Sequence, residues 1–169
     1  MLLKRPSAMI DRIKYKKYKK RKIWLYCGKT DRSDNVYIQF QHDIKIADGI
    51  DRYYIIDEKL PNENTLFTKE QMNKFVILKS SKEDIYFHLA CSKIITSFSS
   101  INEYTPFTLR ELKFYNDLLH YDVVYLQNGV LHANLVNMYS KEFTEIGNIV
   151  ISSAFEKNNL IHKYNYKEK

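Results

Sequence analysis

Apolar positions along this chain fall into short continuous runs: Ile23–Cys27 (IWLYC), Tyr53–Ile56 (YYII), Phe75–Leu78 (FVIL), Lys93–Phe98 (KIITSF), Val123–Leu126 (VVYL) and Ile149–Ser152 (IVIS). Most are continuous rather than alternating, which is the pattern of strands buried on both faces. Between them the spacing changes to three and four. Asp34 or Asn35 can cap a helix through about Ile46, with Val36, Phe40 and Ile44 on one face. A second helix is expected from Lys82 to about Ser92, placing Ile85, Leu89 and Tyr86 against the sheet. A third is expected from Thr108 to Leu119, with Leu109, Leu112, Tyr115 and Leu119 in register. A last one covers Phe155 to Tyr164. Strands alternating with helices predict an α/β fold: a Rossmann-like, three-layer domain around a mainly parallel six-stranded sheet.

Such sheets place ligands at the C-terminal strand ends. Three exits carry small polar residues: Lys79-Ser80, Ser97 to Asn102, and Gln127-Asn128-Gly129. Ser80, Ser99, Ser100, Gln127 and Gly129 are therefore candidates to bind phosphate or sugar oxygens. The same residues also suit ordinary loops, and Asn128-Gly129 suits a plain turn because both tolerate positive φ. His132, three residues beyond Gly129, can serve as a base or ligand, or can be a surface histidine. The segment from Val123 to Ser153 reads as strand, Gly turn, polar connection and strand, and it concentrates these candidates.

Several classes are excluded by missing signatures. The first strand turn lacks GxGxxG, and Gly28-Lys29-Thr30 lacks the first glycine of a P-loop. There is no carboxylate pair, no nucleophile elbow and no metal-spaced His/Asp cluster, so neither a metal nor a resident cofactor is expected. Cys27 and Cys91 stand singly in apolar runs, which suits a reducing compartment better than a disulfide framework. No apolar run approaches the roughly 20 residues that span a bilayer.

The net charge of +7 is local. Residues 1–22 hold ten Lys or Arg against one Asp, while residues 23–169 hold seventeen against nineteen Asp or Glu. Lys14 to Lys22 reads KYKKYKKRK, with Tyr15 and Tyr18 able to share a helix face near Ile10 and Ile13. Residues 1–22 are thus a basic leader, and three roles fit it: a helix on an anionic membrane surface, a solvated leader into the first strand, or a contact to RNA phosphates. The absence of a recurring basic and aromatic platform argues against a nucleic-acid module.

Five blocks in order resemble the CDP-glycerol glycerophosphotransferase family of teichoic acid and capsule synthesis. They are YYIID (53–57), FVILKSSKEDIYFHLACSKIITSFSS (75–100), EYTPF (103–107), VVYLQNGV (123–130) and the YSKEF…VISS stretch (139–153). The resemblance implies a GT-B arrangement of two Rossmann-like domains. It implies transfer of glycerol phosphate from CDP-glycerol to a lipid-linked glycan acceptor at the cytoplasmic membrane face. Residues 23–169 correspond to the N-terminal, acceptor-side domain, and the C-terminal domain that binds the donor has no counterpart among them.

In the family a Gln-His-Gly element after the fifth strand supplies a His that takes the acceptor proton. Here that position is Asn128, an amide that cannot act as a base near neutral pH. General-base help is worth typically about 10²–10⁴ in rate, so His132 would have to substitute. The expectation is an incomplete, inactive half of a glycerophosphotransferase. Alternatives are a non-catalytic glycan- or partner-binding module derived from one, or a GT-B glycosyltransferase using a nucleotide sugar.

Overall fold

In a computed structural model of the chain, residues 4–30, 33–57, 66–127, 129, 139–141 and 144–167 are described. The sheet has six strands, all parallel: β1 (Lys22–Cys27), β2 (Ile50–Ile56), β3 (Val76–Leu78), β4 (Lys93–Thr96), β5 (Asp122–Leu126) and β6 (Asn148–Val150). Their order is β3-β2-β1-β4-β5-β6. The helices are α1 (Lys4–Lys14), α2 (Asn35–Asp43), α3 (Lys69–Phe75), α4 (Lys82–Ala90), α5 (Ile101–Tyr104), α6 (Leu109–Tyr115) and α7 (Ala154–Tyr164). This is the three-layer α/β arrangement expected from the apolar runs.

One face of the sheet carries α2 and α3. Val36 and Phe40 sit one turn apart on α2 and are fully buried against Tyr26, Tyr54, Ile56 and Ile95. Phe40 meets Tyr26 and Tyr54 edge-on, with centroids 5.2 and 5.3 Å away. Truncating such a ring typically costs about 3–5 kcal/mol. On the other face, Phe87 of α4 and Leu160 and Tyr164 of α7 pack on Leu25, Ile55, Ile94 and Val123.

Several boundaries differ from the expectation. α2 stops at Asp43, not Ile46, because the chain beyond it tightens to i−3 bonds, Lys45 N–H donating to the His42 carbonyl at 3.2 Å and Ile46 N–H to the Asp43 carbonyl at 3.0 Å, while the Asp43 side chain accepts a 2.6 Å bond from the Tyr26 hydroxyl. Phe75 ends a helix that the apolar pattern did not predict. α3 is set by a capping box in which Thr68 and Gln71 satisfy each other's backbone N–H. On α4 it is Phe87 that enters the sheet core, while Tyr86 and Leu89 face the opposite way toward Ala8, Tyr15, Phe107 and Tyr115. α4 lies between two layers, so a single-stripe reading of it fails. α6 is shorter than expected, and Leu109 is 59% exposed rather than part of its packed face.

The basic segment folds onto the domain. α1 continues into a 3₁₀ turn, Tyr15–Tyr18. Ala8, Asp11 and Tyr15 are buried, and Arg12 forks onto Asp117 while also donating to the Phe114 carbonyl at 2.8 Å. Tyr15 and Tyr18 do share a face, but it points inward. Tyr18 stacks on Tyr86 at 6.1 Å and meets Phe87 edge-on at 5.0 Å. No described helix is long and apolar enough to cross a membrane.

Candidate functional site

Strand order decides where a site can form. β2 and β3 lie to one side of β1, and β4, β5 and β6 to the other. The crossovers from β1 and from β3 therefore leave toward opposite faces, and a crevice opens beyond the strand ends where they part. A crevice of about 360 Å³ lies there. Its rim carries Gly28, Lys29 and Thr30 after β1, Asp57 after β2, Lys79 after β3 and Glu103 of α5, and Cys27, Ile55 and Phe98 give it an apolar floor.

Asp34 organises the β1 side. It has extended backbone and caps α2, its Oδ1 accepting from Tyr37 N–H at 2.9 Å. Its Oδ2 accepts from Lys29 N–H at 2.9 Å and from the Ser97 hydroxyl at 2.7 Å. One buried carboxylate thus joins the β1 exit to the β4 exit. The neighbouring Asn35 amide donates to the Gln127 carbonyl at 2.5 Å, adding the β5 exit. Gly28 is required by close approach, since a Cβ there would stand 2.5 Å from the Tyr54 hydroxyl and 2.8 Å from the Asp34 carboxylate. The Tyr54 hydroxyl donates to the Lys29 carbonyl at 3.1 Å, and burial pushes its pKa upward.

The β3 side is held through α5. Lys79 Nζ donates to the carbonyls of Asn102 and Glu103 at 3.3 and 2.8 Å, and His88 Nε2 donates to that of Tyr104 at 2.8 Å. These are the C-terminal carbonyls of a one-turn helix, where cations are favoured. His88 is fully buried, with Nδ1 2.8 Å from Asp84 Oδ1 and 3.0 Å from the Asp84 carbonyl. Burial alone would lower the imidazole pKa. The charge of Asp84 and the hydrogen bonds to Asp84 and Tyr104 outweigh burial and raise it. Asp84 Oδ2 accepts from Ser80 N–H at 2.8 Å, holding Ser80 at φ 62°. The crevice thus presents two lysines beside two carboxylates. Such a set can pair cations with an anionic group and carboxylates with hydroxyl donors.

The candidate residues from sequence occupy the same edge of the sheet but do not converge on the crevice. Ser80 is exposed beside a shallower depression that also involves Asn102 and Thr108. Ser100 precedes α5 without capping it through its side chain, and Ser99 is half-buried. Gln127 follows β5 and donates its amide to the carbonyl of Gly129, whose φ is 103°. None of the five lines the crevice. Asn128 and His132 lie outside the described residues. Among the described residues, no group of three or more His, Cys, Asp or Glu could hold a metal ion.

Sequence reasoning missed Lys29, Asp57 and Glu103. Asp34 appeared only as a cap, although a carboxylate just after a strand–glycine exit is a signal that could have marked it as a clamp.

The chain is 26% identical over 157 residues to the minor teichoic acid biosynthesis protein GgaB of Bacillus subtilis (strain 168). The match covers 89% of this chain but 16% of that protein's length. No protein-family model matches the chain, and no solved structure matches it.

Proposed function

We propose that this chain is the acceptor-side domain of a transferase of teichoic acid or capsule synthesis, of the CDP-glycerol glycerophosphotransferase type. The observation that carries this reading is the similarity to a teichoic acid biosynthesis protein over 89% of the chain. The crevice supports it, because Lys29, Lys79, Asp57 and Glu103 suit a polyol phosphate. In the proposed reaction an acceptor hydroxyl attacks the phosphorus that carries glycerol. The phosphoanhydride to CMP breaks, CMP leaves with the bonding electron pair, and the hydroxyl proton passes to a base.

CDP-glycerol would be held by a second domain outside these residues. The acceptor would be a lipid-linked or surface glycan at the cytoplasmic face of the cell membrane. Asn128 stands where the resemblance places the base, so His132 is the residue left to take the proton, and these residues alone are proposed not to transfer glycerol phosphate.

A non-catalytic module that holds a glycan or a partner protein is the second reading. It is favoured by Asn128 and by a crevice lining that, among the described residues, includes no histidine. Calorimetric titration with glycerol phosphate oligomers tests the main reading. Binding that Lys29→Gln weakens about tenfold or more supports it. Equal binding by wild type and variant, or a preference for neutral oligosaccharides, overturns it. Robust incorporation of labelled CDP-glycerol by the 169-residue chain would refute the incomplete-half assignment.

A further inference from the structure

α1 and the first residue of the 3₁₀ turn meet the domain along Ala8, Asp11, Arg12 and Tyr15, an i, i+3, i+4, i+7 stripe. The opposite face carries Met9, Ile10 and Ile13, which are 68%, 49% and 69% exposed. These three side chains are adjacent on the helix surface, so they form one apolar patch rather than scattered exposures. The charge around the patch has a single sign. Lys14, Lys16, Lys19 and Lys20 follow it and are all exposed. The one acidic residue of this segment, Asp11, is turned inward, where it accepts a 2.9 Å bond from the Tyr115 hydroxyl. Arg12 is likewise committed to Asp117. Nothing negative therefore interrupts the outer face among residues 8–22.

We infer that this face of α1 docks on an anionic lipid surface, with Met9, Ile10 and Ile13 entering the headgroup–acyl boundary and the lysines lying over the headgroups. An interfacial helix needs an apolar face, a cationic border and a fixed orientation. The Arg12–Asp117 fork and the Asp11–Tyr115 bond supply the last, because they prevent the helix from rolling its apolar side back onto the domain. The tyrosines of the basic run are not the inserting residues, since they serve as the glue between α1 and α4. The inference rests on the patch and its charge, independently of the crevice.

Co-sedimentation with vesicles tests it. Phosphatidylserine in phosphatidylcholine is the suitable anionic lipid, because its headgroup does not offer the crevice a glycerol phosphate. The wild-type chain should sediment with these vesicles, bind pure phosphatidylcholine far less, and release as salt is raised. Ile10→Asp combined with Ile13→Asp should weaken binding by about tenfold or more. Lys19→Gln with Lys20→Gln should act similarly. All four side chains are exposed, so melting temperatures should stay at the wild-type value, which separates lost docking from lost folding. Failure of the wild type to sediment overturns the inference, and so does undiminished binding by the isoleucine pair. Light scattering in which the isoleucine pair dissolves a dimer, without change in vesicle binding, would assign the face to a second copy of the chain instead. None of these failures touches the transferase reading, which the oligomer titration tests separately.

Discussion

The Ser97 hydroxyl donates to Asp34 Oδ2 at 2.7 Å, joining the end of β4 to the start of α2 across 63 residues of sequence. The same oxygen receives the Lys29 N–H, so the first turn after β1 is pinned against the first turn after β4. The bond spans the β1–β4 boundary, where the order of strand addition reverses, and so ties together two of the loops at the strand-end crevice.

If that bond is a clamp, its two partners should be energetically coupled. Ser97→Ala removes a charge-assisted bond and is expected to cost about 1–2 kcal/mol. Asp34→Ala also loses the α2 cap, a further ~1 kcal/mol. The double variant should fall short of the sum by about 1 kcal/mol or more. Urea unfolding of the four proteins measures this, and strictly additive values would mean that the two loops are held together by other means.

Gly28 is fixed by space rather than by backbone conformation. Its missing Cβ would lie 2.5 Å from the Tyr54 hydroxyl oxygen, a distance that real contacts do not reach. Gly28→Ala is expected to destabilise by about 1–3 kcal/mol. Adding Tyr54→Phe deletes the nearest atom, so the double variant should recover part of the loss in thermal melts. If the second change only adds to the first, the clash with Asp34 is the controlling one.

The sheet was legible because its strands are buried on both faces, and a continuous apolar run as short as Ile23–Cys27, closed by Gly28, suits a buried strand better than a helix. The site was less legible, because its residues are joined by tertiary contacts that leave no periodic trace. Lys79 was noted as a strand exit, yet its role in holding the carbonyls of Asn102 and Glu103 depends on a helix of four residues, too short to show a period. His88 sits between Phe87 and Leu89 and looks like any polar interruption of an amphipathic helix. Only the approach of Tyr104 and Asp84 gives it a role. Which face of the leader turns inward was not legible for a similar reason. Its tyrosines and its isoleucines are equally apolar on paper, and the choice of inward face is made by the Tyr115 hydroxyl and Asp117, roughly a hundred residues away.

His88 should make folding sensitive to pH on the alkaline side. Both ring nitrogens face acceptors: Asp84 on one side and the Tyr104 carbonyl on the other. Two donors are therefore needed, which is the imidazolium form. Its pKa is raised above the ordinary 6.5 despite complete burial. A group that is more basic when folded contributes fully below its unfolded pKa, and that contribution is lost as pH rises through the folded value. The melting temperature should therefore fall as pH climbs from about 6.5 through the raised value. Cys27 and Cys91 do not interfere, since burial pushes both thiols upward. His88→Gln leaves Asp84 without its cation and is expected to cost about 3–5 kcal/mol near pH 6. In that variant the fall in melting temperature across the same window should flatten. A profile with the wild-type slope would show that some other group titrates in this window.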